Sequence, residues 1–347
     1  MRIAVDAMGG DRAPMEIVKG AVQAANKFKT AEIILVGNEK EIGELLRNYS
    51  PRPNNIFIRH AAQVVGMDEP GVAALRKKGN SSITKSVELV ASGEAEALVS
   101  AGNTGATVAA STMYLKMLKG VKRPCIAATI PTRHGRCVVV DVGANLKCKP
   151  IHLLQYAVMS SVYTKYLLGV KEPRIGLLNI GQEDSKGNDL VKQVYNLLNS
   201  SPLDFVGNSE GLDIFEGKFD IVVCEGFVGN VLIKFAEGLA ENLVAAIEIE
   251  ASKGLRTRLG LKLLRPALRR LWNRMDYSEY GGVPLLGVDG ICIISHGRSD
   301  AKAIQNAIRE ALEFGKHHVN SHITSELEAC GLPQGAVVEY SVAKEVN

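Results

Sequence analysis

The sequence predicts an α/β fold, a mostly parallel sheet with helices on both faces. Two observations predict it. Short β-branched apolar runs alternate along nearly the whole chain with segments that carry apolar residues at helical spacing. The turns between them are rich in glycine, asparagine and serine, as the ends of parallel strands commonly are. The composition, 46% hydrophobic and 22% charged over 347 residues, is that of a globular chain rather than a disordered or bilayer-embedded one.

The runs read as strands are 3–8, 32–37, 56–60, 96–102, 125–130, 137–143, 174–181, 204–207, 220–226 and 290–297. Helical spacing occupies 17–28, 82–92, 153–168, 190–198, 231–249 and 301–314, and these segments are expected to cover both faces. The charge-free stretch 97–115 approaches membrane-spanning length. Its Ser100, Asn103, Thr104, Thr107 and two glycines make it a strand, a loop and a helix instead. With no repeat and no linker, residues 1–347 are expected to form one domain. A helical basic protrusion, 245–280, is expected within it, broken where Gly254, Gly260 and Pro266 punctuate it.

The net charge of +4 is too mild to argue for nucleic acid. Its distribution is uneven, because eight cations and no acidic residue fall between Ala251 and Met275. The segment is therefore expected to have a partner or surface of its own, a membrane or an acidic protein, met by Leu255, Leu259, Leu263, Arg265, Arg269 and Trp272. A packed helix with a solvated basic face is the plain alternative. The six cysteines show no paired spacing, which suits a reducing compartment. The N-terminal run contains Asp6 and lacks the apolar stretch of a signal peptide, so a cytosolic location is expected.

Candidate chemistry is sought at the strand ends, where helix N-termini and small residues present free N–H groups. The first strand delivers Asp6, Gly9, Gly10 and Asp11. Ser81 and Ser82 precede a helix, and Gly102, Asn103, Thr104 and Gly105 follow another strand. Asn145, then Lys186 with Asn188, then Asn230, and finally His296 stand after later strands. Singly, each is an ordinary turn or helix cap. Together they suggest an anion site, yet no GxG pair occurs, and neither Gly-Lys pair is followed by Ser or Thr, so dinucleotide and P-loop motifs are absent.

Three further patterns carry less. Gly207 to Gly211 fits GxSxG around Ser209, with Asp220 and His296 following, but the full helix that such an elbow requires has no room. Cys148 and Cys224 are read as inert, since buried thiols serve mainly as small hydrophobes. His318 and His322, beside His317, have ligand spacing but no accompanying carboxylate motif, so no metal site is expected and the stretch reads as a solvated helix.

Seven ordered segments then become decisive: 5–14 (VDAMGGDRAP), 100–106 (SAGNTGA), 141–145 (DVGAN), 177–188 (LLNIGQEDSKGN), 222–230 (VVCEGFVGN), 277–288 (YSEYGGVPLLGV) and 294–303 (ISHGRSDAKA). From Met1 to about Phe314 the chain closely resembles the bacterial phosphate acyltransferase family. The resemblance implies transfer of a long acyl chain from acyl carrier protein to inorganic phosphate, giving an acyl phosphate for phospholipid synthesis. It implies a homodimer with a three-layer α/β/α fold similar to phosphotransacetylases and isocitrate dehydrogenases, and no organic cofactor. It also implies peripheral association with the inner face of the cell membrane, where a downstream membrane acyltransferase takes the product. Ser209, Glu225 and Arg298 depart from residues common in the family.

Phosphate is already an anion at neutral pH and can attack a thioester directly, so neither an acyl-serine nor an acyl-cysteine is needed. The expected phosphate contacts are Asp6, Gly9, Gly10, Asp11, Ser81, Ser82, Gly102 to Gly105 and Asn145. Lys186, Asn188, Asn230 and His296 are expected to be catalytic, supplying charge, geometry, an oxyanion donor and a proton respectively. Two other classes are kept in view: a dehydrogenase on a similar fold, which the missing dinucleotide motif disfavours, and a non-catalytic binding module, which leaves the strand-end residues unexplained.

Overall fold

The computed structural model describes residues 1–275 and 281–331. Its strands are β1 (Arg2–Asp6), β2 (Glu32–Gly37), β3 (Ile56–His60), β4 (Ala97–Ser100), β5 (Cys125–Thr132), β6 (Gly135–Val140), β7 (Ile175–Leu178), β8 (Phe205–Ser209), β9 (Ile221–Val223), β10 (Val283–Leu286) and β11 (Ile291–Ile294). Among the described residues they form one sheet in the order β3-β2-β1-β4-β11-β10-β5-β6-β9-β7-β8.

Most neighbours are parallel, as expected, but three ladders are not. β10 is antiparallel to both β11 and β5, and β5 is antiparallel to β6. The sheet therefore consists of two parallel halves running in opposite directions, joined by β5 and β10. The sequence reading missed β10, a four-residue strand that contains Pro284 and carries too little pattern to announce itself.

Register brings the C-terminal ends of the two halves to the same level. Pro284 pairs with Ile293 near the end of β11, and Leu285 pairs with Ile126. The carboxylate of Asp141, immediately after β6, accepts the Ile126 N–H at 2.9 Å. Loops that leave β1, β4 and β11 and loops that leave β6, β7 and β9 thus open onto one common region.

Helices flank the sheet as α1 (Met15–Lys27), α2 (Glu39–Arg47), α3 (Gly71–Lys77), α4 (Ser82–Ala91), α5 (Thr104–Tyr114), α6 (Pro150–Leu167), α7 (Asp189–Asn199), α8 (Gly211–Glu216), α9 (Gly226–Ser252), α10 (Leu255–Met275), α11 (Ala301–Lys316) and α12 (Val319–Ala329). The alternation of strand side chains sorts them into layers. Ile3, Val5, Ile33, Leu35 and Val99 pack with Ile17, Val18, Ile304 and Ile308 of α1 and α11. Leu98, Cys292 and Ile294 point the other way, to Ile83, Val87 and Ala106 of α4 and α5. In the second half, Val138, Val140, Ile221 and Val223 meet Leu153, Tyr156 and Met159 of α6, whereas Cys137, Val139 and Val222 meet Ile214 of α8.

The hairpin of α9 and α10 departs from this plan. Every residue from 241 to 250 is exposed, and only Lys253 and Gly254 separate the two helices. Gly260 and Pro266 lie inside α10 and do not break it, which corrects the expected punctuation. Residues 276–280 of the expected basic protrusion lie outside the described residues. No described helix is long and apolar enough to cross a membrane.

The C-terminal histidines also differ from expectation. α12 is packed rather than solvated, since Val319, Ile323 and Leu327 join the core, and His322 stacks on Tyr166 at 3.9 Å between ring centroids. No cluster of three or more metal-ligating side chains exists among the described residues.

Leu98 is fully buried in β4, between β1 and β11. Leu98→Ala is expected to lower the unfolding free energy by about 2 to 5 kcal/mol, read from urea denaturation.

Candidate active site

The first-half loops are held by local hydrogen bonds. Asp6, buried at the end of β1, accepts the Ser100 hydroxyl at 2.8 Å and the Met8 N–H at 3.3 Å. The same Ser100 oxygen accepts the Gly102 N–H at 3.1 Å, so Asp6 organises the turn that precedes α5. Burial pushes the Asp6 carboxyl above its ordinary range, while its hydroxyl and N–H donors pull it back. The Asp11 N–H donates to Gly297 O at 2.8 Å, which ties the β1 loop to the β11 loop.

Several candidates are occupied by this framework. Asn103 donates to the carbonyls of Gly66, Met67 and Glu69 and accepts the Ala106 N–H, so it staples the 61–70 segment to α5. Ser81 caps α4 through the Thr84 N–H and shares a hydrogen bond with the Thr84 hydroxyl. Ser82 differs. It is buried beside Asp6 at the start of α4, and its hydroxyl has no partner within bonding geometry. A hydroxyl at a helix start that only faces the Asp6 carboxyl, outside hydrogen-bond geometry, can turn to an anion.

Asp141 dominates the other side. Oδ1 accepts the N–H groups of Ile126, Gly143 and Ala144, and Oδ2 accepts the backbone N–H and side-chain amide of Asn145. Burial pushes this carboxyl up, and the same donors oppose the shift. Asn145 also donates to Pro124 O at 2.6 Å, so both its amide hydrogens are spent on structure. At Gly229 a β-carbon would collide with the Asp141 carbonyl, so only glycine lets α9 start this close. Asn230 follows, beside Gly143, and its amide makes no hydrogen bond among the described residues.

Lys186 and Asn188 lie on the loop after β7, two strands from β6. Asn188 caps α7 through the Val191 N–H. Lys186 is exposed, and its ammonium has no ion-pair partner among the described residues. His296 accepts the Arg298 N–H through Nδ1 at 3.1 Å. It faces Glu237 of α9, a half-buried carboxyl that burial pushes up and that His296, Lys234 and Arg298 pull down. Arg298 reaches Glu241 at 3.4 Å, so α9 runs from the Asp141 side to the β11 loop.

The family model described as fatty acid synthesis protein matches residues 1–322. A phosphate acyltransferase of Geotalea uraniireducens is 48% identical over 328 residues, 94% of each chain. One from Moorella thermoacetica is 50% identical over 312 residues, covering 90% of this chain and 91% of that one. The chain belongs to the phosphate acyltransferase family. It is an acyltransferase, and its chemistry is acyl transfer involving phosphate. The fold agrees with solved structures of a phosphotransacetylase from Streptococcus pyogenes (TM-score 0.58, 18% identity, 94% of each chain) and a branched-chain phosphotransacylase from Enterococcus faecalis (TM-score 0.54, 16% identity, 90% of this chain and 98% of that one).

In this acyltransferase the GxSxG serine is not part of a triad. Ser209 is buried on the edge strand β8 with its hydroxyl on Glu210 O, far across the sheet from His296, and Asp220 is paired with Arg174. Nor are the thiols poised as nucleophiles. Burial pushes Cys148 up and Cys224 well up. The residues that sequence reasoning left out of the site are Ser100 and Asp141. A carboxylate closing an all-apolar strand must be buried with donors, and that signal was available for Asp141.

Gly229→Ala is expected to cut activity at least ten-fold and to lower Tm, because the start of α9 must move away from Asp141; enzyme assay and calorimetry measure the two effects. Cys148→Ala is expected to keep activity within about two-fold of the parent, and an acyl-thioester trapped on Cys148 contradicts this.

Proposed function

We propose that this enzyme transfers a long acyl chain from acyl carrier protein to inorganic phosphate, releasing acyl phosphate and the carrier thiol. The observation that carries this reading is the match over nearly the whole chain to relatives named phosphate acyltransferase. Phosphate is held by the first-half loops: the Ser82 hydroxyl, the Gly102 to Gly105 turn at the start of α5, and the Gly9 to Asp11 turn above Asp6. Asp6, Ser81, Asn103 and Asn145 serve this site as framework rather than as direct ligands, since their polar atoms are committed to loop geometry.

A phosphate oxygen attacks the thioester carbonyl and forms the new C–O bond. Asn230 donates to the oxyanion, and Lys186 offsets the accumulating negative charge. Collapse breaks the C–S bond, and the carrier leaves as thiolate or takes a proton from His296. A thiol pKa of about 8.5 makes that help optional. Asn188, capping α7, fixes the Lys186 loop.

We also read the enzyme as a homodimer that works at the inner face of the cell membrane and hands its labile product to a membrane acyltransferase. Phe235, Leu239 and Leu243 form an exposed apolar ridge on α9 for a second copy. Leu259 and Leu263 stand exposed on the basic helix α10 with Arg265, a composition that suits anionic lipid. The side chains of Leu255, Arg269 and Trp272 lie outside the described residues.

Lys186→Ala and Asn230→Ala are each expected to lower turnover by roughly ten- to a thousand-fold with the fold retained, measured as acyl phosphate formed from acyl carrier protein thioester and phosphate. Near-normal turnover at saturating phosphate removes either residue from the mechanism. Leu259→Glu or Leu263→Glu is expected to weaken salt-sensitive binding to anionic vesicles while activity in solution persists. Binding equal to the parent's instead assigns α10 to the carrier protein.

A further inference from the structure

We propose that the acyl chain of the donor lies on a strip formed by Leu146 and Ile180, on the loops after β6 and β7, and Phe227 and Val231, at the start of α9. The inference rests on the reading of the donor as a long-chain thioester. Val223 of β9 pairs with Val140 of β6 on one side and Leu177 of β7 on the other, so these three strands end side by side. Neighbouring strands are about 5 Å apart, which puts their loops within reach of one extended ligand. Most other candidates at the strand ends are glycine, serine or asparagine. Here Leu146 is 67% exposed, Ile180 82% and Phe227 58%, and none of the three contributes to a core cluster.

Ile180 is held in this position. Asn179 accepts the Ile180 N–H at 2.8 Å and donates to Lys186 O at 3.2 Å, clamping the two ends of the loop together. Gly187, at φ +91°, lets the chain turn under Asn179, where a β-carbon would strike its amide oxygen. An isoleucine fixed in water costs solvation without a return in folding, and it stands one residue before Gly181, against which the Lys186 stem lies. On α9, Phe227 and Val231 are four residues apart on one face, and Val231 directly follows Asn230. A thioester whose carbonyl meets Asn230 therefore has an apolar path across α9 and the Lys186 loop. Exposed Gln182, Glu183 and Lys186 bound the strip, which suits a linear hydrocarbon better than a protein face.

The test compares hexadecanoyl and hexanoyl thioesters of acyl carrier protein with full-length parent, Ile180→Ser, Phe227→Ser and Ile180→Leu. The serine variants are expected to lower the long-to-short ratio of kcat/KM by roughly ten-fold, chiefly through KM for the long chain, and Ile180→Leu to retain it. With an active parent, an unchanged ratio in folded serine variants overturns the site. So does a changed sedimentation velocity, which assigns the strip to a second copy. A parent that forms no acyl phosphate from either thioester overturns the underlying reading instead.

Discussion

The capture of five N–H hydrogens by the Asp141 carboxylate is the interaction on which the site depends. Three of its donors are successive loop residues, one comes from the neighbouring strand β5, and one is the Asn145 side chain. Buried carboxylates are costly unless so engaged. This one fixes the loop after β6 to β5, brings Asn145 over Pro124 and leaves a shelf against which only glycines 226 and 229 can pack. The start of α9, and with it Asn230, is placed by exclusion as much as by attraction.

Asp6 performs a related task in the other half, at the end of a parallel strand and beneath a glycine-rich turn. Both carboxylates are buried and engaged by hydrogen-bond donors. Each is held by donors from its own loop and from a neighbouring strand, and each fixes the turn that follows its own strand. Acyl transfer to an anion that is already charged asks for this kind of preorganisation more than for a strong base.

Much of this was legible in the sequence because its signals are local. Alternating apolar runs gave ten of the strands, and the stretch 97–115 resolved into β4 and α5 as its polar residues required. Strand direction was not legible. Antiparallel β5 and β6 have the same apolar content as parallel strands, and β10 is too short to show a period. The candidate residues were recognisable as a set, but their division into framework and free groups was not. Asn103 and Asn145 look like ligands in a list of residues and act as staples once the carbonyls they meet are known. Ser82 looks like its neighbour Ser81 until one hydroxyl is found capping α4 and the other facing the Asp6 carboxyl.

The 27-residue helix α9 begins beside the Asp141 carbonyl and ends in the exposed hairpin. At 1.5 Å per residue it is a rod of about 40 Å, stiff along its length. Toward its middle it meets the β11 loop, where Arg298 pairs with Glu241 and His296 faces Glu237. The helix that carries the outer hairpin is thus the helix that carries Asn230, and its first turn sits on the glycine-lined shelf. The outer hairpin and Asn230, the donor proposed for the oxyanion, are carried by one mechanical part.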